Sequence, residues 1–115
     1  MSNDEARRLG LVPESELASA LGLTAEHIDE LVAKGVVFFV EREGVRLYPS
    51  FFIDATLDGK QVATVVKLLG NLGGSSKWQF FSTGKGSLGG LTPVDALRQG
   101  KLKQVTIAAE GFAER

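Results

Sequence analysis

The sequence predicts a mainly α protein carrying a small β-hairpin, an α+β class, and three observations lead there. Apolar residues recur at helical spacing in several segments, as in Ile28, Leu31 and Val32, and again in Val62, Val65, Val66 and Leu69. That is the period of a helix with one buried face. Two short runs have strand character, Val36–Val40 and Val45–Tyr48, and they flank Glu41-Arg-Glu-Gly44. Glycines stand just past the periodic segments at positions 10, 22, 35 and 100, where a left-handed residue ends a helix.

Taken in order, Asn3–Leu9 reads as a short polar helix that Gly10 ends. Pro13 suits the first turn of a helix running to Leu21, with Leu17, Ala18 and Leu21 on its inner face. Thr24 caps a second helix, Ala25–Lys34. The β-branched and aromatic run Val36–Val40 is too short for a helix, and Val45–Tyr48 alternates with period two up to Pro49. Helix, short turn, helix and hairpin is the order of a winged helix-turn-helix. Residues 1–49 therefore read as one part and 50–58 as an apolar linker. Residues 59–115 read as a helical second part. Within that part Lys60–Leu72 is amphipathic, Gly73–Ser76 a loop, and Lys77–Ser82 a short helix holding Trp78, Phe80 and Phe81. Thr92-Pro93 is a cap and first-turn proline, and a last helix spans Lys101–Phe112.

Composition narrows function by exclusion. A chain of 115 residues buries about 65% of its unfolded surface, enough to fold without staples. Absence of cysteine removes disulfides, thiol catalysis and thiolate metal sites, and the single histidine, His27, removes an imidazole-rich zinc site. The longest apolar run is far short of a membrane span, and the first residues carry no secretory signal, so the cytoplasm is the expected location. Gly84-Lys-Gly-Ser-Leu-Gly-Gly90 has the letters of a dinucleotide loop but follows a helical segment rather than a strand. Turns needing positive φ account for it, with Lys85 solvated. His27 lies among helix-surface carboxylates, and Asp54 and Asp58 bracket a turn. No catalytic constellation emerges, no cofactor is expected, and the chain reads as a non-enzyme.

Charge is unevenly divided. Residues 1–58 hold eleven acidic and five basic groups, a net of −6, whereas residues 59–115 hold three acidic and eight basic, a net of +5. A DNA-reading helix offers basic or amide side chains, yet the outward face of Ala25–Lys34 carries Glu26, Asp29, Glu30, Ala33 and Lys34. Lys34, Arg42 and Arg46 are the candidate DNA contacts in this half. On the last helix, Leu102, Val105, Ala108, Ala109 and Phe112 form the inner stripe, and Ile107 falls opposite it among charges. An incidental surface isoleucine and an interface anchor both fit that placement.

Trp78-Gln-Phe-Phe-Ser-Thr, then Leu88-Gly-Gly-Leu-Thr-Pro-Val-Asp-Ala-Leu97, Gly100 and Val105 resemble the Xre/MbcA/ParS toxin-binding family. Tyr48-Pro-Ser-Phe-Phe-Ile-Asp and Asp58-Gly59 are similar to the linker preceding that domain. The family comprises antitoxins of bacterial toxin–antitoxin pairs. The resemblance covers about 65 residues and implies a helical C-terminal domain that covers the active-site cleft of a RES-type, NAD-consuming toxin. It also implies a homodimer whose N-terminal part binds promoter DNA, an expectation that the acidic face at residues 26–30 opposes. Candidate toxin contacts are Arg98, Lys101, Lys103, Gln104, Ile107 and Arg115, while Gly89, Gly90, Thr92 and Pro93 build the domain. Two alternatives stand beside this reading. One is a winged helix-turn-helix or excisionase-like DNA-binding regulator, and the other is an orphan homologue that only self-associates.

Overall fold

In a computed structural model that describes residues 3–114, the chain is mostly helical with a small three-stranded antiparallel sheet, so the α+β expectation holds. A short helix, α1 (Asn3–Arg8), leads to strand β1 (Leu11–Pro13) and then to helices α2 (Glu14–Leu21) and α3 (Ala25–Ala33). The hairpin is β2 (Val40–Arg42) and β3 (Val45–Pro49), and a 3-10 turn at Ser50–Ile53 follows it. Helices α4 (Gly59–Leu68), α5 (Gly74–Ser82), α6 (Pro93–Arg98) and α7 (Leu102–Ala113) complete the described chain, with a second 3-10 turn at Gly86–Leu88.

Strand β1 escapes the sequence pattern because three residues are too few to show alternation. Leu11 and Val12 are buried, and β1 pairs with β3 through Leu11↔Pro49, Val12↔Tyr48 and Pro13↔Leu47. The sheet order is β1-β3-β2. Pro13 thus ends a strand and caps α2 from an extended conformation, rather than sitting in the first helical turn. The strand expected over Val36–Val40 shrinks to Val40–Arg42, and the reason is where its side chains go. Val37 joins the cluster of Leu17, Ile28 and Tyr48, whereas Phe38 joins Val62, Val65 and Phe81, and Val40 joins Leu11 and Leu47. A stretch that feeds three clusters in turn cannot keep the two-sided alternation of a strand. The reversal after β2 uses Glu43 at φ 52° and Gly44 at φ 77°, the left-handed pair that suits a tight hairpin.

The caps at Thr24 and Thr92 fall where the sequence puts them. Thr24 Oγ1 accepts from the His27 amide at 3.2 Å, and Thr92 Oγ1 from the Asp95 amide at 3.1 Å. Asp58, expected only to mark a turn, also caps α4, its Oδ1 accepting from the Lys60 amide at 2.9 Å. Helix α4 stops at Leu68, short of the expected Leu72, because the chain turns at Gly70 with φ 61°. Helix α5 starts at Gly74, three residues before the expected Lys77. A Cβ on Gly74 would stand 1.8 Å from the Phe39 carbonyl oxygen, so only glycine lets the helix start close on the segment before β2. Leu21, expected inside, is 38% exposed.

Of residues 50–58, Ser50, Phe51, Phe52, Ile53, Asp54 and Leu57 are half-buried, whereas Ala55, Thr56 and Asp58 are exposed. Phe51 and Phe52 lie against the cluster of α4–α7, and Phe52 also touches the cluster around Ile28 and Tyr48. The Phe51 and Phe81 rings approach to 4.6 Å, Phe38 and Phe52 to 5.4 Å in an edge-to-face pair, and Phe38 stacks on Phe81 at 6.0 Å. Such pairs add about 1 kcal/mol each beyond their buried area.

Candidate functional site

Two of the three candidate DNA-contacting cations, Arg42 and Arg46, make contacts within the fold. Arg46 lies 4.4 Å above the Phe39 ring and 3.7 Å from Asp29 Oδ1. Arg42 is half-buried, with its guanidinium 5.9 Å over the Trp78 ring and its buried Nε without a partner among the described residues. Lys34 is exposed at the C-cap of α3. Glu26, Asp29 and Glu30 are exposed on the same helix, so this surface offers more carboxylate than cation to a phosphate.

Of the candidate toxin contacts, Arg98 turns out to be a tie within the fold. Its guanidinium meets Asp54 Oδ2, donates from Nη1 to Asp95 Oδ1 at 2.6 Å, and donates from Nε to Thr56 Oγ1 at 2.9 Å. The Thr56 hydroxyl and amide also donate to Asp54 Oδ1. Hydrogen bonds from Thr56 first, and from Arg98 next, hold the Asp54 carboxyl down to about 2, while Asp54 raises Arg98 above its ordinary value. The Thr56 amide bond to Asp54 is the one expected of an aspartate at a turn, and through Arg98 the network also fastens the 54–56 turn to the end of α6.

The remaining candidates gather on α7. Lys103, Gln104 and Ile107 are exposed, with Ile107 at 61%, and Lys101 is half-buried at the helix start. Arg115 lies outside the described residues. Val105 and Ala109 are fully buried on the opposite side, so the helix presents Ile107 away from the core, as its spacing predicts. Beside Ile107 runs a groove of about 290 Å³ lined by Lys85, Ser87, Ala108, Gly111 and Phe112. Lys85, expected to be solvated, has its Nζ 5.1 Å from the centres of both the Phe80 and Phe112 rings. The aromatic faces attract the ammonium.

Two features went unread in the sequence. Lys77 is 9% exposed, and its burial pushes its ammonium below the ordinary value. The signal was its spacing, three and four residues before the buried Phe80 and Phe81 on one helix face. An apolar cleft of about 290 Å³ also opens between the N-terminal helices and α4, lined by Leu21, Leu31, Val36, Phe52, Leu57 and Val62 among others. Leu21 borders it, which accounts for that residue's exposure. Trp78, Phe80 and Phe81 are core, with Trp78 partly covered. Among the described residues no cluster of His, Cys, Asp and Glu could hold a metal ion, and no helix is long and apolar enough to cross a membrane. No family model, curated protein or solved structure matches the chain.

Proposed function

We propose that the chain is an antitoxin-like module that docks on a cognate RES-type toxin and covers its active-site cleft, with no chemistry of its own. The observation that carries this reading is the outer face of α7. There Ile107 is 61% exposed, with exposed Lys103 and Gln104 one turn away and Lys101 at the helix start. An apolar anchor with cations towards the start of its helix and carboxylates towards the end suits a partner whose acidic patch meets the Lys101–Gln104 end, where charge guides encounter and apolar contact holds. Lys60 and Lys67 are also exposed, on α4, the helix that packs against α7. The family-like residues behave as builders in keeping with the resemblance: Thr92 caps α6, Pro93 opens it, and Gly89 and Gly90 take positive φ.

A second reading, a DNA-binding regulator, is favoured by topology. The order α1-β1-α2-α3-β2-β3 with sheet order β1-β3-β2 suits a winged helix-turn-helix-like N-terminal half. The acidic α3 and the internally engaged Arg42 and Arg46 weigh against it. Co-expression with a RES-type toxin encoded beside the gene separates the two. Growth should be rescued by the native chain and lost with Ile107→Asp, while circular dichroism stays unchanged. Undiminished rescue by Ile107→Asp removes α7 from the toxin contact. Steep salt-dependent binding of the gene's upstream DNA by the chain alone would support the second reading instead.

A further inference from the structure

Helix α7 breaks three rules of helix stability, and all three breaks lie on one exposed face. At 100° per residue, Lys103, Gln104, Ile107, Glu110, Gly111 and Glu114 fall within about 60° of the Ile107 direction, and every one of them is exposed. Gly111 is the first anomaly. A Cβ there would meet nothing within 4 Å, so alanine would fit and would make the better helix. Neither a positive φ nor a close neighbour within the chain asks for glycine.

The charges are the second anomaly. Lys103 stands in the first turn, with Glu110 in the last and Glu114 at the C-cap, the reverse of what the helix dipole favours. The ion pairs of the described residues involve none of the three. Ile107 is the third, the most exposed large hydrophobic side chain among the described residues. Within one molecule each feature costs stability and gains nothing.

We infer that this face is self-complementary, and that two copies of the chain pair through α7 packed antiparallel across a two-fold axis. The face reads, from one end to the other, cation, isoleucine, notch, carboxylates. Turned end for end, the same pattern matches itself. Ile107 of one copy lies beside Glu110 of the other, in the notch left by Gly111. Lys103 then faces Glu114 of the second copy, twice over by symmetry. The groove along Ala108 and Phe112 receives the incoming isoleucine, and the two helix dipoles oppose each other. A second copy supplies partners for Lys103, Glu114, Ile107 and the Gly111 notch, whereas a uniformly acidic partner would leave Glu114 repelled and the notch unfilled. The inference rests on α7 alone and does not require the toxin-binding reading. A toxin seated on Ile107 would exclude this dimer.

The face from Lys103 to Glu114 is about 16 Å long, so the interface is small and the dimer weak. Sedimentation velocity of the full chain from about 10 µM to about 500 µM spans the dissociation constants such a contact supports. The native chain should pass from monomer to dimer across that range. Gly111→Leu, whose Cβ meets no neighbour within 4 Å and whose side chain fills the notch, should remain monomeric with native circular dichroism. Lys103→Glu and Glu114→Lys should each weaken association roughly tenfold, since symmetry doubles every change. Mixed together, these two single variants should form a heterodimer, and the double variant Lys103→Glu/Glu114→Lys should dimerise again. A native chain that stays monomeric throughout, or charge variants that associate unchanged and show no rescue on mixing, would overturn the proposal. The charge variants change exposed residues only, so they decide the matter even if Gly111→Leu misfolds.

Discussion

Replacing Arg98 with alanine distinguishes a residue that ties the fold from one held ready for a partner. The Asp54 carboxyl falls from 3.8 to about 2 in the fold, through the Thr56 hydroxyl first and the Arg98 guanidinium next. That drop corresponds to at most about 2.5 kcal/mol of stabilisation. Arg98 supplies only part of it, and water reaches both side chains, 37% of Arg98 and 24% of Asp54 being exposed. The share lost in Arg98→Ala is therefore about 1 kcal/mol at pH 7. For a domain of this size that lowers Tm by about 4 °C. A carboxyl whose value is depressed in the fold contributes fully above its unfolded value of 3.8 and loses the contribution as pH falls through about 2. Thermal unfolding followed by circular dichroism should show the native chain and the variant separated at pH 7 and converging as pH approaches 2. A variant as stable as the native chain at neutral pH, or a gap that persists unchanged in acid, refutes the tie. Loss of toxin rescue by Arg98→Ala would then be evidence of contact rather than of a loosened 54–56 turn.

Two further perturbations test the core. Phe81→Ala removes a fully buried ring that meets Phe38, Phe51 and Phe80, and should cost about 4 kcal/mol in urea unfolding. Because Phe38 and Phe51 carry that contact into both halves, far-ultraviolet circular dichroism and Trp78 fluorescence should change at one midpoint; two separated transitions would dissolve the joint. Tyr48, the single tyrosine, is raised to about 12 by burial first and by the Glu14 charge next. Its neutral form is the one the fold favours, so stability is intact below pH 10 and declines as pH rises towards 12. Tyrosinate absorbance appearing near pH 10, with the far-ultraviolet spectrum still native, would contradict that.

Helices were legible because their signals are local. The stripe in α4 and the caps at Thr24 and Thr92 lie within four residues of what they determine. Of the strands, β3 was legible from its composition and flanking turn, although its burial does not alternate, Leu47, Tyr48 and Pro49 all being buried. The three residues of β1 carry no period, and their partner is β3, more than thirty positions away. Val36–Val40 misled for a related reason. Its composition is that of a strand, but Val37 and Phe38 are claimed by different clusters, and a propensity scale holds no information about which neighbours will arrive. Gly74 hides a long-range demand in the same way, since the Phe39 carbonyl that forbids a side chain there is supplied by a distant segment.

The same distinction governs the surface. Counting charges along the chain treats every arginine and lysine as available to a partner, but long side chains bend back onto aromatic faces and carboxylates wherever the fold brings these within reach. Arg42 is spent on Trp78, Arg46 on Phe39 and Asp29, Lys85 on Phe80 and Phe112, and Arg98 on Asp54, Asp95 and Thr56. Each partner lies far along the chain from its cation except Asp95, Phe80 and Phe39. Ile107 was placed correctly because its exposure follows from helical spacing alone. Subtracting these engaged cations and the buried Lys77 leaves Lys60, Lys67, Lys101 and Lys103 as the basic surface of residues 59–114, all on or beside α4 and α7. The basic surface is thus narrower than the net of +5 suggests, and part of it lies on α7, a helix that its own outward Glu110, Gly111 and Glu114 weaken.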